Sequence, residues 1–97
     1  MKKASKPKKP TLRELIEERL EEENPKAKFA DGFDDALVGI ARRFGADPLP
    51  VYSREKCINV LMKRDKMSEE DANEFFDFNV IGSWVGEGTP IFMDTAL

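Results

Sequence analysis

The sequence contains no histidine and a single cysteine, Cys57. Histidine is the commonest side-chain general base and the commonest metal ligand, so its absence excludes Ser-His and Cys-His nucleophile systems and ordinary Cys/His zinc sites. One cysteine cannot form an internal disulfide, which is typical of a reducing compartment. We therefore predict a non-enzymatic protein with no catalytic residue, no metal site and no cofactor.

Long apolar segments are also lacking. No apolar run approaches the ~18 residues that are needed to span a bilayer, and the N-terminal MKKASKPKKP is not followed by the apolar segment of a signal peptide. We expect a protein that stays in the cytoplasm and does not associate with a membrane.

Acidic residues are missing from the first ten positions, although the whole chain has a net charge of −3. Residues 1–10 carry +5, so the other 87 residues carry −8. This segment has almost no apolar side chains and is predicted to be a disordered basic tail. Its candidate nucleic-acid-binding residues are Lys2, Lys3, Lys6, Lys8 and Lys9. Lysine–phosphate contacts are salt-sensitive and independent of base sequence, so binding beside an acidic body would be weak.

Residues 11–24 are predicted to form an N-terminal amphipathic helix. Thr11 and Glu14 have the spacing of a capping box, and Pro25 indicates that the helix has ended. The narrow apolar stripe consists of Leu12, Leu15, Ile16 and Leu20. This stripe either packs on the same chain or joins two chains, so a monomer and a homodimer through these residues are both open.

Residues 30–97 are predicted to form a single α+β domain, with a small antiparallel sheet of two or three strands packed against two helices. The predicted strands are Ala36–Arg42, Leu49–Tyr52 and Pro90–Met93. A helix over residues 34–44 is the alternative for the first strand. Residues 45–50 are predicted to be a turn, and the two prolines before Val51 indicate that the second strand starts at a sheet edge.

Two serine-capped helices are predicted between the second and third strands, Arg54–Arg64 and Glu69–Trp84. Cys57 lies on the buried face of the first and is predicted to be a core residue. The second helix is apolar on two sides, which predicts that it is buried on both.

The candidate partner-binding residues are Trp84, Glu87, Thr89 and Pro90. A tryptophan beside a glycine turn is a plausible binding hot spot, although the sequence leaves the exposure of Trp84 open. The acids flanked by apolar residues, Asp34 and Asp35, are a poor catalytic pair because adjacent residues of a strand point to opposite faces. An enzyme using Asp34 and Glu87 is the weaker alternative.

The run FNVIGSWVGEGTP, residues 78–90, resembles a pattern near the C-terminus of a family of small uncharacterised bacteriophage-encoded proteins. In that family FN, two residues, G-A/S-W/Y-V-G and then TP recur. The stretches FDDALVGIARRFG, VYSREKCINVLMKRD and SEEDANEFF resemble the same proteins, so the likeness covers about residues 33–93. The resemblance implies a phage product in the bacterial cytoplasm and brings no catalytic residue. We predict a phage accessory factor that binds a host or phage protein, with weak nucleic-acid binding through the tail as the alternative.

Overall fold

The computed structural model describes residues 9–84 and 86–97. The helices are α1 (Leu12–Glu23), α2 (Arg54–Arg64) and α3 (Glu69–Phe75), and the strands are β1 (Leu37–Arg43), β2 (Ala46–Ser53) and β3 (Ile91–Met93). Short 3₁₀ turns span Asp34–Ala36 and Ile81–Ser83, and a π-helical turn spans Phe76–Val80. Helices packed on a three-stranded sheet confirm the predicted α+β class.

The sheet is mixed, so the prediction of a purely antiparallel sheet is wrong. Its strand order is β1-β2-β3, with β1 and β2 antiparallel and β2 and β3 parallel. The chain passes through α2 and α3 between β2 and β3, and such a crossover returns the third strand in the same direction as the second. A three-residue strand has no sequence pattern that indicates its direction.

The hairpin between β1 and β2 is tighter than predicted. The two strands are joined by Phe44 and Gly45 alone, and Gly45 adopts a φ of 82°, which favours glycine. Residues 46–50 of the predicted turn therefore belong to β2. This strand is central in the sheet, but its first residues lie at an edge, as predicted. Pro48 and Pro50 are tolerated because β3 pairs only with residues 51–53, so both prolines lie where β2 pairs with β1 alone.

Helix α1 packs on the sheet of its own chain. Its capping box is confirmed: the Glu14 amide donates to Thr11 Oγ1 at 3.1 Å, and the Thr11 amide donates to Glu14 Oε1 at 2.8 Å. Ile16 and Leu20 are buried in the core, whereas Leu12 and Leu15 remain about half exposed. Packing on the same chain accounts for Ile16 and Leu20, and a homodimer through the stripe stays a prediction.

The core lies between the helices and one face of the sheet. Tyr52 and Phe76 are its largest fully buried side chains, and the Phe92 ring stacks on Tyr52 at 5.6 Å and meets Phe76 edge-on at 5.4 Å. The Ala30 amide donates to the Tyr52 hydroxyl at 2.8 Å. Cys57 is buried as predicted, and burial raises the pKa of its thiol to about 12.

Helix α2 has the predicted bounds, but the predicted helix over residues 69–84 is divided. Its first seven residues are α-helical, and the π-helical and 3₁₀ turns complete it before Trp84 becomes extended. Phe76 and Val80 are buried, whereas Phe75, Phe78 and Ile81 are 37%, 75% and 40% exposed. The prediction of burial on both sides is therefore wrong. One face of this segment packs in the core, and much of the apolar surface of the other face stays exposed.

Candidate interaction surface

A shallow groove with aromatic walls runs along the outer side of α3 and the π-helical turn. It has a volume of about 350 Å³, and we call it the aromatic groove; its lining residues are Met67, Asp71, Glu74, Phe75, Phe78 and Asn79. Phe78 contributes the largest exposed apolar area of the set. Contiguous exposed apolar side chains with a polar rim are typical of protein interaction sites.

The outward direction of Phe75 and Phe78 follows from how the inner face of this segment is held. Phe76 is fully buried against Phe92, so Phe75, which precedes it, and Phe78, two residues later, point away from the core. A π-helical turn follows directly, and such turns occur frequently at functional sites. The buried Phe76 therefore orients the exposed aromatic side chains of the groove.

Arg54 of α2 fixes the side of the segment that lies away from the groove. Its guanidinium donates to Asp77 Oδ1 at 2.8 Å and to Asn73 Oδ1 at 3.1 Å, and it lies 5.0 Å from the centre of the Phe76 ring. The hydrogen bond from Arg54 lowers the pKa of the Asp77 carboxyl. This acid is thus occupied within the chain and is not available to a partner.

The acids of the groove itself are different. Asp71 and Glu74 lie on consecutive turns of α3, and both are exposed. Neither takes part in a salt bridge with another described residue. No lysine or arginine lines the groove. Its rim is therefore negatively charged and uncompensated within the described part of the chain.

The predicted partner-binding residues do not form one exposed surface. Trp84 is half-buried against the core, Pro90 is buried, and Thr89 donates its hydroxyl to the Gly86 carbonyl at 2.8 Å. Of the four, only Glu87 is exposed. Binding of a partner by these four residues stays a prediction, and the contacts described for them lie within the chain.

The glycine turn before Pro90 packs against the segment that follows α1. The Lys28 amide donates to the Gly88 carbonyl at 2.9 Å. A Cβ atom at Gly88 would lie 2.0 Å from the Lys26 carbonyl oxygen, so no other residue fits without moving the backbone. Gly88 is therefore needed for close packing of two backbone segments, which is a structural role.

Basic residues that could bind an anion lie in the N-terminal tail and in the grooves of the fold. Lys2, Lys3, Lys6 and Lys8 lie outside the described residues, and Lys9 is exposed just before the cap of α1. A second groove, of about 460 Å³, lies along α2 and includes Lys56 and Lys63 together with the acidic Asp35. Arg64 at its end is occupied, since it donates to the Gly32 carbonyl at 2.8 Å and pairs with Asp65. This mixed charge does not identify an anion site.

One of the acids considered for chemistry, Asp34, is paired within the chain. Arg13 of α1 pairs with Asp34 at 2.8 Å and with Asp31 at 3.1 Å, which ties the helix to the loop before β1. Asp35 lines the groove along α2, and Asp34 does not, so these two carboxylates do not share that groove. Within residues 9–84 and 86–97, no group of three or more acidic or cysteine side chains has metal-binding geometry. No helix in those ranges is long and apolar enough to cross a membrane.

The outer face of the sheet is a second partly apolar surface. Val51 pairs with Gly39 on one side and with Ile91 on the other, and this row lies opposite the core face. At Gly39 the face is open, because an added Cβ atom would meet nothing within 4 Å. Its paired residues include the exposed Met93 but no aromatic side chain, whereas aromatic residues are the side chains most enriched at protein interfaces. The aromatic groove is therefore the stronger candidate.

Comparisons of this chain with protein-family models, with curated proteins and with solved structures gave no match. The candidate site therefore depends on its own geometry.

The groove was not predicted from the sequence, although the spacing of its two phenylalanines indicates it. Phe75 and Phe78 are three residues apart and are out of phase with the buried row of Ala72, Phe76 and Val80. A second apolar row on a helix predicts either a second layer of the fold or an external partner. Here much of that row remains exposed.

Proposed function

We propose that this protein is a non-enzymatic protein-interaction module, and that the aromatic groove is the surface that binds its partner. The observation that carries the proposal is the exposure of Phe78, three quarters of whose surface is in contact with solvent beside the partly exposed Phe75. Burial of apolar surface is favourable by ~25 cal/mol for each Å² that is removed from solvent, and exposed side chains forgo this free energy. A partner that covers the groove recovers this free energy.

The chemistry of the groove suits a protein better than a small metabolite. It is shallow and has few converging polar groups, whereas small-molecule sites are concave and enclose most of the ligand. Aromatic side chains and methionine are characteristic of the central, desolvated part of a protein interface. Phe75, Phe78 and Met67 supply these side chains, and the two acids supply a polar rim.

The resemblance of residues 33–93 to phage-encoded proteins supports the biological setting that we propose. In this setting the chain is an accessory factor of a bacteriophage that acts in the cytoplasm of the infected bacterium and binds a host or phage protein. A non-enzymatic role agrees with the absence of histidine from the sequence.

A quantitative pull-down from lysate of phage-infected bacteria tests this function. The bait is the full chain, and the comparison is between Phe78→Ser and Phe44→Ser. Phe44 is the matched control because it is another exposed phenylalanine, but it lies at the tip of the β1–β2 hairpin. We expect a defined polypeptide to be retained by the wild-type chain and by Phe44→Ser and to be lost with Phe78→Ser.

Equal retention by the two variants would reject the groove as the binding surface. Retention of nothing above background by the wild-type chain would count against an interaction module altogether. Circular dichroism of each variant checks that the fold is kept.

A further inference from the structure

We propose that the occupant of the aromatic groove is a cationic amphipathic helix of the partner protein. This inference rests on the proposed function and adds the chemical class and conformation of what is bound. It follows from three properties of the groove: how its backbone is hydrogen-bonded, where its apolar side chains lie, and the sign of its rim.

The first property favours a helix over an extended peptide. The groove runs along α3 and the π-helical turn, whose backbone amides and carbonyls bond largely within the segment. An extended peptide gains affinity by pairing its backbone with an open strand edge, and the groove does not provide one. The partner must therefore satisfy its own backbone groups when it is desolvated, and a helix does so.

The second property is the spacing of the apolar side chains. Phe75 and Phe78 are one helical turn apart, a separation of ~4.5 Å along the axis. Met67 lines the same groove beside them. Apolar side chains on successive turns of a partner helix have the same spacing, so they can lie between these rings in the manner of helix-in-groove recognition.

The third property is charge. Asp71 and Glu74 are exposed without a salt bridge among the described residues, and Glu70 is exposed one turn from Glu74. Lysine or arginine beside the apolar face of a partner helix would pair with these carboxylates. The same charges repel nucleic-acid phosphates and anionic lipid headgroups, so the favoured ligand is a cationic protein segment.

Two occupants from the chain itself fit less well. The lysine-rich residues 1–10 have the right charge, but Met1 and Ala4 are their only apolar side chains apart from the prolines, so they cannot fill an aromatic groove. A two-fold symmetric dimer would place the same patch of both copies together and bring their Asp71 and Glu74 carboxylates face to face, which is unfavourable.

Fluorescence anisotropy with labelled model peptides of about 18 residues tests the inference. The probes are a leucine–lysine amphipathic helix, its leucine–glutamate counterpart, and a scrambled leucine–lysine peptide without an apolar face. Each is titrated with the wild-type chain, with Phe78→Ser, with the double variant Asp71→Asn/Glu74→Gln, and with Phe44→Ser as the control.

We expect the amphipathic leucine–lysine peptide to bind the wild-type chain and Phe44→Ser equally. Phe78→Ser is expected to weaken binding by about tenfold or more, because it removes the central apolar contact. The double variant is expected to weaken binding by about three- to tenfold at low salt and to flatten its dependence on NaCl. The glutamate and scrambled peptides are expected to bind much more weakly.

Several outcomes would overturn the inference. If the glutamate peptide binds as well, or if the double variant changes nothing, the occupant is not cationic; if the scrambled peptide binds equally, it is not an amphipathic helix. Self-association in sedimentation experiments that Phe78→Ser abolishes would identify a second copy as the occupant. If the peptides fail while the pull-down still shows a partner that depends on Phe78, the proposed function stands and only the cationic helix is rejected.

Discussion

Phe76 and Phe78 are separated by one residue, yet the structure predicts that their replacement has very different effects on stability. Phe76 is completely buried, meets the Phe92 ring edge-on at 5.4 Å and lies under the Arg54 guanidinium. Phe78 is 75% exposed. If the second face of this segment is an interaction surface and not part of the core, removing its aromatic ring should leave the fold intact.

The magnitudes follow from burial. Phe76→Ala removes a buried ring and leaves a cavity, which costs ~3–5 kcal/mol, a large part of the ~5–15 kcal/mol that stabilises a typical domain. Phe78→Ala removes a ring that is mostly in water already, so we expect a change within ~0.5 kcal/mol. Since Phe76→Ala can unfold the chain entirely, Phe76→Leu provides a milder variant with an expected cost of ~1–2 kcal/mol.

Urea unfolding followed by circular dichroism measures both effects. For a domain with an m-value of ~1–3 kcal/mol/M, the loss of ~3–5 kcal/mol at Phe76 lowers the midpoint by ~1–5 M, whereas Phe78→Ala leaves it nearly unchanged. A destabilisation by Phe78→Ala as large as that of Phe76→Ala would contradict the claim that Phe78 lies outside the core, because it would mean that both faces of the segment are buried.

Three further predictions concern the fold. Gly88→Ala is expected to destabilise by more than ~2 kcal/mol in urea unfolding because its Cβ atom meets a backbone carbonyl, whereas Gly39→Ala, where the space is open, should change stability by less than ~0.5 kcal/mol; equal effects would contradict this packing. The Thr95 hydroxyl and amide donate to Glu55 and hold the pKa of that carboxyl at about 2, below its ordinary 4.5. The resulting stabilisation is present above pH 4.5 and is lost as the pH falls towards 2. In the native state the Thr95 amide resonance should titrate together with the Glu55 carboxyl, with a midpoint near pH 2, and should stop doing so in Glu55→Gln. Finally, the buried Cys57 thiol, with its pKa raised to about 12, should resist a thiol reagent at pH 8 until urea unfolds the chain; rapid reaction in the native state would show that it is accessible.

The features that local chemistry determines could be predicted from the sequence. The capping box of Thr11 and Glu14, the serine cap of α2 and the bounds of that helix depend on residues within one turn of each other. The strand predicted over Ala36–Arg42 followed from alternation and from the need for a partner strand, and it is observed one residue later, as Leu37–Arg43. The direction of β3 could not be predicted, because it depends on a crossover through two helices and not on Ile91–Met93 themselves.

The candidate site was harder to predict for a related reason. A row of apolar residues on a helix is the same whether it faces the core or a partner, so Phe75 and Phe78 were expected to be buried. Trp84 was expected to be a contact residue, but it packs in part against the core. The rest of the chain determines whether a second apolar row is covered. Because a domain of 97 residues buries only part of its surface, few residues are left to form another layer over α3.

Site-specific photo-crosslinking tests directly whether the aromatic groove binds a partner protein. The photoreactive amino acid benzoylphenylalanine is placed at position 78 or, as the control, at position 44, and the full chain is irradiated in phage-infected bacteria. We expect one defined crosslinked polypeptide from position 78 and none from position 44, with the crosslinked segment of that polypeptide being a lysine- or arginine-rich amphipathic helix. The same products from both positions, or no product from position 78, would contradict the claim that the aromatic groove binds a partner protein.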